Sequence, residues 1–212
     1  MARHFSSRTW RVDDVPFLWD ILHLSIHVRE GFDPPPRSVL DDHAIAHYLI
    51  DFGQQPGDDA QVVEDEHGTR VAAAFCRCTT AADPGFGHVA PDVPELGMAV
   101  IESCRGCGVG RLVLEGLLAR NPVMSLSVDL DNTVARHLYE SLGFEWVADE
   151  GTAATMLRRP HPTNSTKQAD PRAPLHQRAT SGTRLGSSLL AWRALGHGAD
   201  LGHSALSLLA TS

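Results

Sequence analysis

Apolar residues recur every three or four positions in four stretches of the chain and alternate or run continuously in seven shorter ones. The first period belongs to helices with one buried stripe, the second to strands. Residues 5–11 predict an opening strand. Asp13 can cap a helix whose stripe is Val15, Leu18, Trp19, Leu22 and Ile26. Pro34-Pro35-Pro36 forces an extended break, and a second helix is expected over 38–52, with Val39, Leu40, Ile45, Tyr48 and Leu49 inward. Residues 61–64 and 70–79 form a hairpin around Asp65-Glu66-His67-Gly68. A glycine-bearing loop, Pro84-Gly85-Phe86-Gly87-His88, leads to a strand over 95–101. A helix carrying Leu112, Val113, Leu117 and Leu118 runs to about Pro122, and a strand follows over 124–130. A helix after Asn132 buries Val134, Ala135, Leu138 and Leu142 and stops at Gly143; strands over 144–147 and 152–157 complete the order βααβββαβαββ.

Residues 1–160 are therefore read as one α/β (α+β) domain. Beyond Pro160 the composition shifts to Pro, Ser, Thr, Arg, Ala and Gly without alternation, so 161–212 is expected to be a tail, disordered or weakly helical. Eighteen basic against twenty-six acidic side chains give a net charge of −8. Residues 163–212 hold five of the basic and two of the acidic groups, so the remainder stands at −11. An acidic body speaks against nucleic acid as a partner and favours cationic or amine ligands in the encounter step. Asp13, Asp14 and Asp20 interrupt any apolar run behind Arg3 and Arg8, and no stretch reaches the roughly 18 apolar residues of a membrane span. A cytoplasmic protein with no membrane partner is expected.

Arg105-Gly106-Cys107-Gly108-Val109-Gly110 stands between a strand and a helix. Three glycines in five residues allow a sharp turn whose N–H groups converge on an anion at the helix N-terminus. A P-loop is excluded because Arg111-Leu112 replaces the required Lys-Ser or Lys-Thr. A dinucleotide turn has the right surroundings, with Asp129 or Asp131 about 20 residues on, but its third glycine would fall on Arg111 or Val113.

The stretch does match R/Q-x-x-G-x-G/A, and Asn132-Thr133-Val134-Ala135-Arg136-His137-Leu138-Tyr139-Glu140-Ser141-Leu142-Gly143-Phe144 matches N-x-x-A-x-x-L-Y-x-x-x-G-F. Together the two motifs resemble the GNAT superfamily of acetyl-CoA-dependent N-acetyltransferases, and the resemblance covers about residues 5–159. It implies a mixed, mostly antiparallel central sheet flanked by helices, with acetyl-CoA as co-substrate. The backbone of Arg105, Gly106, Cys107, Gly108, Val109 and Gly110 would hold the pyrophosphate. Met98, Ala99 and Val100 would pair with the pantetheine arm in a gap between two splayed strands, with Gly97 leaving room. An N–H from that strand, at Ala99 or a neighbour, would bind the thioester carbonyl, and Asn132 would touch the cofactor or order a water. Tyr139 takes the family's general-acid position. Glu95 is the first choice for the base, ahead of His88 and of Glu102, which is more solvated.

Some expectations stay open at this stage. The acceptor is a small-molecule or peptide amine, and nothing in the helices or the 84–94 loop says which. Similar proteins are often dimers, which leaves a homodimer open. An acetyl-CoA-binding module without catalysis, acting as a sensor or partner domain, is the alternative function. Cys76, Cys78, Cys104 and Cys107 could be read as a C-x-C plus C-x-x-C zinc site. Reduced thiols are the better reading, because Cys107 sits inside the anion turn, and no metal is expected.

Overall fold

Seven strands form a single sheet in the order β1-β2-β3-β4-β5-β7-β6 in the computed structural model, which describes residues 3–29 and 31–160. The strands are β1 (Phe5–Thr9), β2 (Asp59–Asp65), β3 (Arg70–Arg77), β4 (Glu95–Val100), β5 (Met124–Asp129), β6 (Phe144–Glu150) and β7 (Ala153–Arg158). The helices are α1 (Val15–Ser25), α2 (His43–Ala46), α3 (Val109–Leu118) and α4 (Thr133–Ser141). The order is the expected βααβββαβαββ, and every strand pair is antiparallel except β4–β5. The expected tail, 161–212, lies outside the described residues.

Each face of the sheet has its own core. On one, Leu114 and Leu117 of α3 and Tyr139 of α4 pack with Val63, Ala72, Leu96, Met124, Leu126 and Met156. On the other, Leu18, Ile21 and Leu22 of α1 pack with Leu49, Phe52, Val62, Ala73 and Phe75. Period-2 alternation along β2, β3 and β4 feeds both layers, which is why these strands read as nearly continuous apolar runs.

The N-terminal helical region departs from the sequence expectation twice. Asp14, not Asp13, sits at the N-cap of α1, and its carboxylate is wholly buried. It accepts from Arg8 Nη1 at 2.7 Å and Arg8 Nη2 at 3.0 Å and from the Arg11 N–H at 2.7 Å, and Arg70 Nε lies 2.7 Å away. The expected helix over 38–52 is instead a 3-10 turn (Arg37–Asp41), the four-residue α2 and further turns. Asp42 breaks the helix by adopting an extended ψ of 126° and capping the Ala44 N–H. Further on, the buried Arg77 guanidinium takes the carbonyls of His47 (2.5 Å) and Ile50 (2.7 Å) while its other edge holds Asp58. A long-range cation thus satisfies carbonyls that a continuing helix would otherwise have bonded.

Candidate active site

The parallel β4–β5 contact is a single residue pair, Glu95↔Ser125, closed by the Ser125 N–H on the Pro94 carbonyl at 3.0 Å. Beyond it the two strands part, whereas β4 stays in register with β3 from Glu95 to Val100. The Ile101 N–H bonds Val71 O on β3 at 2.9 Å. Because successive residues of a strand turn their backbone groups to opposite sides, Ala99 and Gly97 also face β3, while Leu96, Met98 and Val100 face the gap. Of the expected donors, Ala99 or a neighbour, the Ala99 N–H thus turns to β3 and those of Met98 and Val100 turn to the gap. Gly97 also plays a different part. A Cβ there would lie 2.4 Å from the Phe75 ring, so the room it leaves is filled by a buried phenylalanine rather than kept for a ligand.

The glycine turn closes one end of this gap. Gly106 and Gly108 have φ of 72° and 79°, and a Cβ at either would touch nothing within 4 Å. Both glycines are therefore required by backbone conformation, not by crowding. Gly108 is the N-cap of α3, and its carbonyl receives the Leu112 N–H at 3.1 Å. Gly108 through Arg111 supply the first N–H groups of α3, which have no carbonyl one turn earlier in the helix to bond. Such donors at a helix N-terminus form an anion cradle. Cys107 is exposed in it, Val109 is buried, and Gly110 faces Leu138 of α4 with Met98 and Val100 of β4. Arg105 holds the end of β4 by donating from Nε to Val100 O at 3.2 Å.

Tyr139 lies on the same face of the sheet as this turn. It is 9 % exposed, packs edge-on to Phe144 at 5.7 Å, and burial pushes its phenol pKa up. Such a group keeps its proton at neutral pH. Asn132 is the N-cap of α4, where its side-chain oxygen accepts from the Ala135 N–H at 3.2 Å.

Glu95 belongs to the opposite face. Only 2 % exposed, it accepts from the Tyr48 hydroxyl at 2.5 Å and the Gly87 N–H at 2.6 Å through Oε1. Tyr48 in turn accepts from the Phe86 N–H at 2.8 Å and stacks on the Phe86 ring. The loop before β4 is thereby fastened to the carboxylate. Gly87 also presses against β5, where a Cβ would lie 2.4 Å from the Leu126 carbonyl carbon. The turn, Met98, Val100 and α4 are brought together, and Glu95 stands across the sheet from them at the root of the gap. His88 is half-buried on Thr79 Oγ1 at 2.7 Å, and Glu102 is exposed. Tyr48 and Gly87 carry no sequence motif; their signals were the inward stripe over 38–52 for Tyr48 and the glycine-bearing loop for Gly87.

Of the cysteines, all are unpaired: Cys76 and Cys104 are buried, Cys78 is half-buried and Cys107 exposed. Cys76 donates to Gly57 O at 3.3 Å, and burial pushes its thiol pKa up, as in an inert core position. Among the described residues no helix is long and apolar enough to cross a membrane.

Residues 57–146 match the family described as the acetyltransferase (GNAT) domain. No curated protein sequence is a significant match. Similar solved structures include a GCN5-related N-acetyltransferase from Kribbella flavida, 20 % identical over 73 % of this chain and 97 % of that one, with a TM-score of 0.53. The GNAT domain of the S. lividans protein PAT is 17 % identical over 74 % and 93 %, at 0.54. A phosphinothricin acetyltransferase from Sinorhizobium meliloti, solved in complex with acetyl-CoA, is 18 % identical over 82 % and 97 %, at 0.51. These likenesses are of fold, and they agree with the domain match and with the two motifs. The chain carries an acetyltransferase (GNAT) domain over residues 57–146, within the fold of the N-acetyltransferases it resembles.

Proposed function

We propose that the protein transfers the acetyl group of acetyl-CoA to a primary amine by direct attack in a ternary complex. The observation that carries this reading is the strand gap between β4 and β5, which opens beside the first-turn N–H donors of α3. A diphosphate fits those donors, helped by the helix dipole. An extended amide-bearing arm fits along Met98 and Val100, whose backbone groups face the gap. The Sinorhizobium meliloti relative carries acetyl-CoA, which supports the same co-substrate here.

Acetyl transfer needs a neutral amine, a polarised carbonyl and a proton for the departing thiolate. The Met98 or Val100 N–H polarises the thioester oxygen. Tyr139, held neutral by burial, protonates the coenzyme A sulfur as the C–S bond breaks. Glu95 takes the ammonium proton of the acceptor; its 2 % exposure and its bonds to Tyr48 and Gly87 favour a relay through water. Asn132 orders the start of α4, so that Tyr139 is aimed from a capped helix. The acceptor is a small-molecule or peptide amine approaching from the α1 face, where Glu95, Tyr48 and Phe86 meet.

Release of coenzyme A from acetyl-CoA, followed with a panel of polyamines, amino acids, aminoglycosides and peptide N-termini, tests the proposal. Amine-dependent release is expected. Acetyl-CoA binding with no release for any amine would favour a non-catalytic sensor instead.

A further inference from the structure

The geometry points to a second site, a divalent-cation site of the zinc class formed by His43, His47 and Asp83, outside the cofactor gap. The two histidines are one helical turn apart, at the start and the C-cap of α2, and so share a face. Asp83 comes from the loop between β3 and β4 and aims one carboxylate oxygen at each ring. His43 Nε2 lies 3.0 Å from Oδ2, and His47 Nδ1 lies 3.2 Å from Oδ1. One ligand atom from each residue lies within 4.8 Å of the others. A tetrahedral ion with bonds of about 2.1 Å sets its ligands roughly 3.4 Å apart, so small rotations of exposed side chains close the set.

Two further observations favour a cation over a plain hydrogen-bonded cluster. His47 is 7 % exposed and its Nε2 has no hydrogen-bond partner among the described residues. The hydrogen bond to Asp83 therefore uses one nitrogen, and the neutral ring still carries a lone pair of the kind that binds a metal ion. The cluster also lines a cavity of about 210 Å³, together with Arg77 and Cys78, leaving space for water on the remaining coordination positions. Two imidazoles and one carboxylate suit zinc and its neighbours in the first transition row better than magnesium or calcium, which prefer oxygen. Arg77 adds positive charge nearby, but Asp58 pairs with it on two nitrogens.

The ligands also give the site a role. Asp83 is fixed in a turn by mutual backbone bonds with Thr80. Three residues on, the same loop gives its Phe86 N–H to Tyr48, and then its Gly87 N–H to Glu95. A cation joining α2 to Asp83 therefore clamps the loop that holds Glu95, without touching the reacting atoms. The site rests on its own geometry, and the assignment of Tyr139 and Glu95 does not enter it.

The test is titration of chelator-stripped, full-length protein with Zn²⁺, by calorimetry and by competition with a chromophoric chelator, with the melting temperature recorded alongside. One equivalent is expected whose affinity falls at least about tenfold in His43→Ala and in Asp83→Asn, with the zinc-induced rise in melting temperature lost in both. His43 is exposed, so His43→Ala keeps the test open if Asp83→Asn folds poorly. Absence of a stoichiometric zinc equivalent, or wild-type affinity in His43→Ala, overturns the site.

Discussion

A phenolate needs hydration that burial denies it, so the core that Tyr139 shares with Val109, Met124 and Phe144 keeps it protonated well past neutrality. Phenylalanine preserves that packing and removes only the hydroxyl. Tyr139→Phe is therefore expected to lower kcat by ~10²-fold while the acetyl-CoA dissociation constant and the melting temperature stay close to wild type. An unchanged kcat would remove Tyr139 from the chemistry. Asp14 is perturbed in the opposite direction: the Arg8 guanidinium, bonded to it twice, outweighs burial and lowers its pKa to about 2. In the unfolded chain the same carboxyl titrates near ~3.9. A depressed folded value means that its stabilisation is complete above the unfolded pKa and disappears as the pH falls through about 2. Asp14→Asn is expected to cost ~2–3 kcal/mol at pH 7 and much less at pH 2, read by denaturant melts at both; Arg8 retains Glu64, which limits the loss. The motifs made Tyr139 and Asn132 visible in the sequence. They could not show that Asp14 rather than Asp13 takes the N-cap position of α1, its carboxylate turned to Arg8 and Arg70 from two strands instead of to the helix.

At the level of elements, period and punctuation carried the reading far. All seven strands and the glycine turn fall where the apolar pattern put them, within a few residues. Failures came where a distant group intervened. The helix expected over 38–52 has a suitable stripe, yet Asp42 breaks it and Arg77 claims its carbonyls from 27 and 30 residues away. Likewise, Gly97 looked like space for a ligand because nothing local revealed that Phe75 occupies it. Ala99 lies in the strand expected over 95–101, but which way its backbone faces follows from the register with β3. The turn before α3 is the element whose function is most exposed to test. Gly108 sits at φ of 79° with open space around its missing Cβ. Gly108→Asp adds left-handed strain and a negative charge where the diphosphate is expected, so acetyl-CoA binding should fall at least ~100-fold by calorimetry while the fold, read by circular dichroism, remains. Normal acetyl-CoA affinity in that variant would refute the cradle.

For the whole molecule, charge and topology are the relevant properties. A net charge of −8 draws cationic acceptors towards the protein, and salt screens that attraction over about 8–10 Å. For a polyamine substrate, kcat/KM is expected to fall about threefold or more between 0.02 and 0.2 M salt, while that for an acceptor with a neutralising carboxylate falls less. Equal salt dependence would leave the acidic surface without a role in capture. The sheet itself has a seam. Strands β1 to β4 form one continuous ladder and β5, β7 and β6 another, joined by a single backbone pair at Glu95 and Ser125. Sheet cooperativity runs through its ladder, so each half can open to solvent without breaking the hydrogen bonds of the other. A ligand lying along Met98 and Val100 acts as the missing rung, and its mark would be slower amide hydrogen exchange along β4 and β5 together, two strands that scarcely touch each other in its absence.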